Sequence, residues 1–107
     1  MIGVVGTLLL HGVAAAEPPQ RQIASDNDSV RVVLLTYHPG ADSDLHLNTG
    51  PEMTIVEDGE LTLYTSKGPE VLRAGTAHWL PSSTVHLDRN ESDRPVRFSS
   101  LLLKRCD

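Results

Sequence analysis

His46, Asn48, Glu52 and, farther along, His86 are the side chains in this 107-residue sequence whose types and spacing suit chemistry. Imidazole nitrogens and a carboxylate oxygen that converge on one point are ligands for a divalent ion. Alternate residues of a strand share a face, so His46 and Asn48 point one way while Leu45 and Leu47 point the other. Asp58-Gly59 is a signal for a tight hairpin, because the favoured two-residue turn needs positive φ at both central positions. Such a hairpin folds Leu61, Leu63 and Thr65 back beside Val56, Thr54 and Glu52. With Glu52 inward, Leu61 and Leu63 are inward too, and the result is a small polar cluster at one end of an apolar barrel.

The elements that must hold these residues read as short strands. Val30-Arg-Val-Val-Leu-Leu-Thr-Tyr37 is β-branched and apolar and is stopped by His38-Pro39-Gly40. Comparable runs follow at Leu45–Asn48, Glu52–Glu57, Glu60–Thr65, Glu70–Arg73, Ala77–Leu80, Val85–Asp88 and Val96–Leu103. Turn residues separate them at Ser66-Lys67-Gly68, Ala74-Gly75, Pro81-Ser82-Ser83 and Asn90 to Asp93. No stretch after residue 30 shows capped helical periodicity, so a sandwich or barrel of jelly-roll type is expected. Trp79 and Tyr64 read as packing within it.

Ahead of the strands, Ile2 to Leu10 is an apolar run followed by Ala14-Ala15-Ala16, the small-x-small pattern of a signal-peptidase site. Residues 1–16 are therefore read as a signal peptide, and a periplasmic or secreted protein is expected. The run falls short of the ~20 residues that span a bilayer, so no stable membrane insertion is expected. Residues 17–29, with Pro18-Pro19 and the polar run Ser25 to Ser29, read as a linker or lead-in, and residues 30–107 as one domain.

A net charge of −5 and the absence of a basic cluster beyond Lys104-Arg105 argue against nucleic acid as a partner. A core this small makes a homodimer a reasonable expectation. The single cysteine, Cys106, has no internal partner for a disulfide. No dinucleotide fingerprint, phosphate loop, H-E-x-x-H or G-x-S-x-G pattern occurs.

Two longer patterns carry a resemblance. Gly40-x5-His46-x-Asn48-x3-Glu52-x6-Gly59 resembles the first conserved motif of the cupin family, G-x5-H-x-H-x3,4-E-x6-G, with Asn48 in place of the second histidine. Gly75-x5-Pro81-x-Ser83-x2-His86-x3-Asn90 resembles the second motif, G-x5-P-x-G-x2-H-x3-N, with Ser83 in place of the second glycine. The resemblance implies an all-β, cupin-type jelly-roll β-barrel (a double-stranded β-helix) over roughly Val30 to Leu103. It also implies a divalent metal inside the barrel, held by His46, Glu52 and His86 with Asn48 at the remaining ligand position.

Two imidazoles and a carboxylate suit Fe, Mn, Ni or Zn. Asn48 is either a weak oxygen ligand or a group that orients one. His78 is a candidate for the missing imidazole if its strand turns it inward. Asp88, two residues after His86, is either a second carboxylate at the metal or a structural residue at the strand's end, and His38 reads as solvent-facing. Two functions fit. One is a metal-dependent enzyme acting on a small oxygenated molecule by dioxygenation, decarboxylation, isomerisation or lyase chemistry. The other is a non-catalytic small-ligand-binding protein, with or without a metal.

Overall fold

Within residues 16–104, which the computed structural model describes, the chain forms eight strands: β1 (Gln20–Asp26), β2 (Val30–Tyr37), β3 (Glu52–Asp58), β4 (Glu60–Thr65), β5 (Gly68–Arg73), β6 (Ala77–Leu80), β7 (Leu87–Arg89) and β8 (Val96–Leu103). They build two antiparallel sheets, one of order β1-β2-β8-β3-β6 and one of order β5-β4-β7. Residues 40–48 run beside β7 as an irregular further strand, bridged at Asp42 to Arg89 and at His46 to His86. The all-β jelly-roll architecture expected from the short, alternating strands is therefore the one observed. Among the described residues no helix is long and apolar enough to cross a membrane. The proposed signal segment and Cys106 lie outside the described residues, apart from Ala16.

Period-two alternation places the core. Inward positions are Val33, Leu35 and Tyr37 on β2, Glu52, Thr54 and Val56 on β3, and Val96, Phe98 and Ser100 on β8. From the facing sheet come Leu61, Leu63 and Leu72, so the inward orientation expected for Leu61 and Leu63 holds. Tyr37 meets Phe98 edge to face at 5.0 Å, the arrangement that ring quadrupoles favour.

The Asp58-Gly59 hairpin does not form. β3 pairs with β6 and β8, whereas β4 pairs with β5 and β7, so at Gly59 the chain leaves one sheet for the other. Leu61 and Leu63 consequently face Val56 across the interior and do not lie beside it in one sheet. Two local facts produce the corner. The β3–β8 register slips between Val56 and Asp58, a bulge that bends the strand. Gly59 has φ +87, and a Cβ there would stand 2.7 Å from the Pro95 carbonyl oxygen. The true hairpin joins β4 to β5 around Ser66-Lys67, with positive φ at Gly68.

Two further segments differ from their sequence reading. Leu45–Asn48 is not a regular strand, because Asp44 adopts φ 62 and the Asp42 carboxylate accepts its N–H at 2.9 Å, turning the chain just before His46. The lead-in contains β1, hydrogen-bonded along β2 with every side chain exposed. Its backbone pairs while its side chains bury nothing, so no apolar alternation announces it.

Candidate metal centre

β7 and the segment alongside it bring two histidines together. The backbone N–H of each donates to the other's carbonyl, His46 to His86 at 2.9 Å and His86 to His46 at 2.8 Å. This reciprocal pair sets the imidazoles on one face, with ring centroids 4.2 Å apart. Each ring is then hooked to the backbone two residues before it. Nδ1 of His46 lies 3.0 Å from the Asp44 carbonyl oxygen, and Nδ1 of His86 lies 2.9 Å from that of Thr84. A carbonyl only accepts, so each Nδ1 carries the hydrogen and each neutral ring keeps a lone pair on Nε2. That tautomer leaves Nε2 free to ligate a metal while a backbone carbonyl holds the Nδ1–H.

The carboxylates come from both sheets. Glu52 opens β3 and is buried; its Oε1 accepts from Asn48 Nδ2 at 2.7 Å and its Oε2 from Thr54 Oγ1 at 3.3 Å. Burial pushes this carboxyl up, but the His86 and Ser100 side chains beside it outweigh burial and hold it below its usual value. Asp88, two residues after His86 on the same face, is also buried, and its Oδ1 has no hydrogen-bond partner. Burial first, and the Glu52 charge second, push its carboxyl up to about 6. For His86, burial opposes protonation, yet Glu52, the Thr84 carbonyl and Asp88 together raise its pKa above the ordinary 6.5.

These residues meet a test of fit to a cation. Nε2 of His86 is buried without a hydrogen bond and lies 3.4 Å from Glu52 Oε1. A lone pair and a carboxylate oxygen that close, away from water, require a proton or a cation between them. Donor atoms of His46, His86 and Asp88 all lie within 4.8 Å of one another. Ligand bonds are about 2.1 Å, so side-chain movements of about an ångström close this set on one ion.

Above the cluster is a cavity of about 450 Å³, lined by His46, Asn48, Glu52 and Asp88 and walled by Val33, Leu35, Tyr37 and Phe98, among others. The four residues that the spacing singled out are thus gathered, with His86 beneath the cavity against His46. Asn48 turns its amide nitrogen to Glu52 and positions that carboxylate. Asp88 lies with His46 and His86 in the group of possible donors. His78 faces inward opposite Thr54, but its Nε2 lies 3.3 Å from Glu70 Oε1, outside the donor set. His38 is only partly exposed, 3.3 Å from Glu17. Trp79 is exposed and does not pack inside the barrel. Tyr37 was not singled out by sequence, although its inward parity with Val33 and Leu35 was the available signal; burial holds its phenol far above the usual range.

A family model described as a cupin domain matches residues 33–103. No curated protein matches the sequence. Among solved structures, a cupin domain from Bordetella pertussis Tohama I aligns at 22% identity and TM-score 0.73 over 86% of this chain and 99% of its own. A cupin superfamily protein from Desulfitobacterium hafniense DCB-2 aligns at 14% identity and TM-score 0.77 over 88% of this chain and 83% of its own. A sugar phosphate isomerase of the cupin superfamily from Silicibacter pomeroyi DSS-3 aligns at 23% identity and TM-score 0.70 over 78% of this chain and 57% of its own.

Proposed function

The chain belongs to the cupin family, and from that premise we propose that it holds a divalent metal between His46, His86, Asp88 and Glu52 and uses it on a small oxygenated molecule in the cavity. The observation that carries this reading is the buried, unpartnered Nε2 of His86 facing the Glu52 carboxylate. Two nitrogens with carboxylate oxygens suit Fe, Mn, Ni or Zn, and such an ion supplies Lewis acidity when bound. The chain's own side chains do the rest. Asn48 holds Glu52 in place, and the backbone hooks at Asp44 and Thr84 hold both imidazoles in the ligating tautomer. Val33, Leu35 and Phe98 keep the wall apolar. Tyr37, protonated throughout the physiological range, offers a hydroxyl to hydrogen-bond a ligand oxygen.

The similarity to a sugar phosphate isomerase supports isomerisation among the reactions such a centre can serve; a fold alone selects none. Metal analysis of protein purified without a histidine tag tests the proposal. About one equivalent of metal, lost in His46→Ala and His86→Ala, is the expected result. Protein that is empty and refuses added metal would leave the non-catalytic alternative.

Export and dimerisation belong to the same proposal. Dimerisation is supported by an apolar row, Val32-Leu101-Met53-Trp79, across the outer face of the larger sheet. Mass spectrometry of the mature N-terminus and sedimentation equilibrium test these two points.

A further inference from the structure

Arg21 stands outside the family match, on β1, directly opposite Leu35 of β2. Leu35 shares its face with the inward Val33 and Tyr37, so Arg21 hangs on the inner side of the sheet. It lines the same cavity as His46, Glu52 and Asp88, and it is the only lysine or arginine among the lining residues. Arg89, nearby, is tied to Asp42 at 3.2 Å. Arg21 pairs with no carboxylate among the described residues, so its guanidinium donors are available. It stands near enough to Tyr37 to act on the phenol electrostatically.

Charge decides what this guanidinium meets. A divalent ion would offset ionised Glu52 and Asp88, and Arg89 offsets Asp42; with the exposed Asp44 also at the rim, Arg21 is the one cationic side chain of the lining that an anionic ligand can meet. Guanidinium is planar and offers parallel N–H donors that match a carboxylate or phosphate edge.

We propose that Arg21 makes the cavity a site for small oxyanions: the ligand presents a carboxylate or phosphate group to Arg21 and a second oxygen to the metal centre. This rests on the metal reading above, and it assigns to β1, whose side chains bury nothing, a role in ligand selection.

The test uses the full chain loaded with Mn and calorimetric titration with oxalate, inorganic phosphate and neutral imidazole. Arg21→Gln is expected to weaken oxalate, phosphate or both by about ten- to hundredfold, the range for one charge-assisted contact. Mn and imidazole affinity should not change, and Arg21→Lys should recover part of the loss. A loss confined to oxalate identifies a carboxylate ligand, and one confined to phosphate identifies a phosphoryl ligand. Arg97→Gln, which removes an exposed charge from the opposite face of the sheet, should do much less. The proposal is overturned if wild type binds neither anion, if Arg21→Gln binds both like wild type, or if Arg97→Gln matches Arg21→Gln. Should wild type take up none of Mn, Fe, Ni or Zn, the metal reading fails by itself. The same anion titrations on metal-free protein then decide Arg21, a loss in Arg21→Gln supporting the contact and equality overturning it.

Discussion

One face of β3 passes from Glu52 through Thr54 to Val56, and with it the barrel interior changes from one kind of material to another. Around Val56 the neighbours are Leu61, Leu63, Leu72, Val96 and Phe98, all buried and apolar. Around Glu52 they are Asn48, His86 and Ser100, and Asp88 nearby keeps a buried oxygen without a partner. The first end contributes stability by excluding water. The second gives some of it up, since a buried polar atom without a partner costs free energy. An ion bound there, as proposed, would offset that cost.

The two ends should therefore fail differently. Leu61→Ala, at a fully buried site, is expected to cost about 2–5 kcal/mol of unfolding free energy while any metal retained by the folded fraction binds as before. His86→Ala should instead weaken metal binding by more than about a hundredfold and leave the β-sheet circular dichroism unchanged. Denaturant unfolding and metal titration of both variants check the contrast. A His86→Ala protein that binds metal like wild type would erase the distinction between the ends.

The pH dependence sharpens the comparison, because its sign depends on whether a cation is present. The folded pKa of Asp88, about 6, lies above its ordinary 3.8, so the folded chain binds the extra proton between those values. Metal-free stability accordingly falls as pH rises through that window, and the full cost is present above it. His86, raised above 6.5, contributes stability that is present below 6.5 and lost as pH climbs through its folded value. Glu52, lowered from 4.5, acts oppositely, but only as pH falls below that range. From about pH 5 to 8 the metal-free protein should thus melt at progressively lower temperature, while the increment on adding Mn grows as protons cease to compete. Asp88→Asn should flatten the first trend and stabilise the metal-free chain at neutral pH by on the order of 1–2 kcal/mol, at the expense of metal affinity. Melting curves across pH, with and without Mn, show both signs; a metal-free protein that gains stability toward pH 8 would refute the assignment.

What the sequence disclosed follows the same division between local and distant causes. β2, β4, β6 and β8 begin and end where alternation and turn residues place them, because those signals are local. Gly59 misled because positive φ serves a hairpin and a corner between sheets equally well; the choice is made by β6 and β8, many residues away. β1 was hidden because backbone pairing to an edge leaves no pattern in exposed side chains. At the centre, spacing singled out His46, Asn48, Glu52 and His86, and the fold gathers them. Asp88 is marked locally, two residues after His86, and its burial and missing partner add to that signal; the place of Arg21 rests on the register of β1 against β2, which is not written locally.

The smallest expected effect lies at Asn48, where this chain departs from the family's motif. Its Nδ2 donates to Glu52 Oε1 at 2.7 Å, so the amide serves the carboxylate. Asn48→His places a third imidazole two residues from His46 on the same side of the chain. As a ligand it should tighten Zn or Ni by about tenfold, roughly 1.4 kcal/mol, and Mn by less, because nitrogen donors favour the former ions. Asn48→Ala supplies no donor and releases Glu52, so it should weaken every metal modestly. Titrating Zn and Mn into both variants separates supply of a ligand from positioning of one. If Asn48→His weakens Zn as much as Asn48→Ala does, the hold on Glu52 outweighs the added nitrogen, and the polar end is tuned through its carboxylate and not through its count of imidazoles.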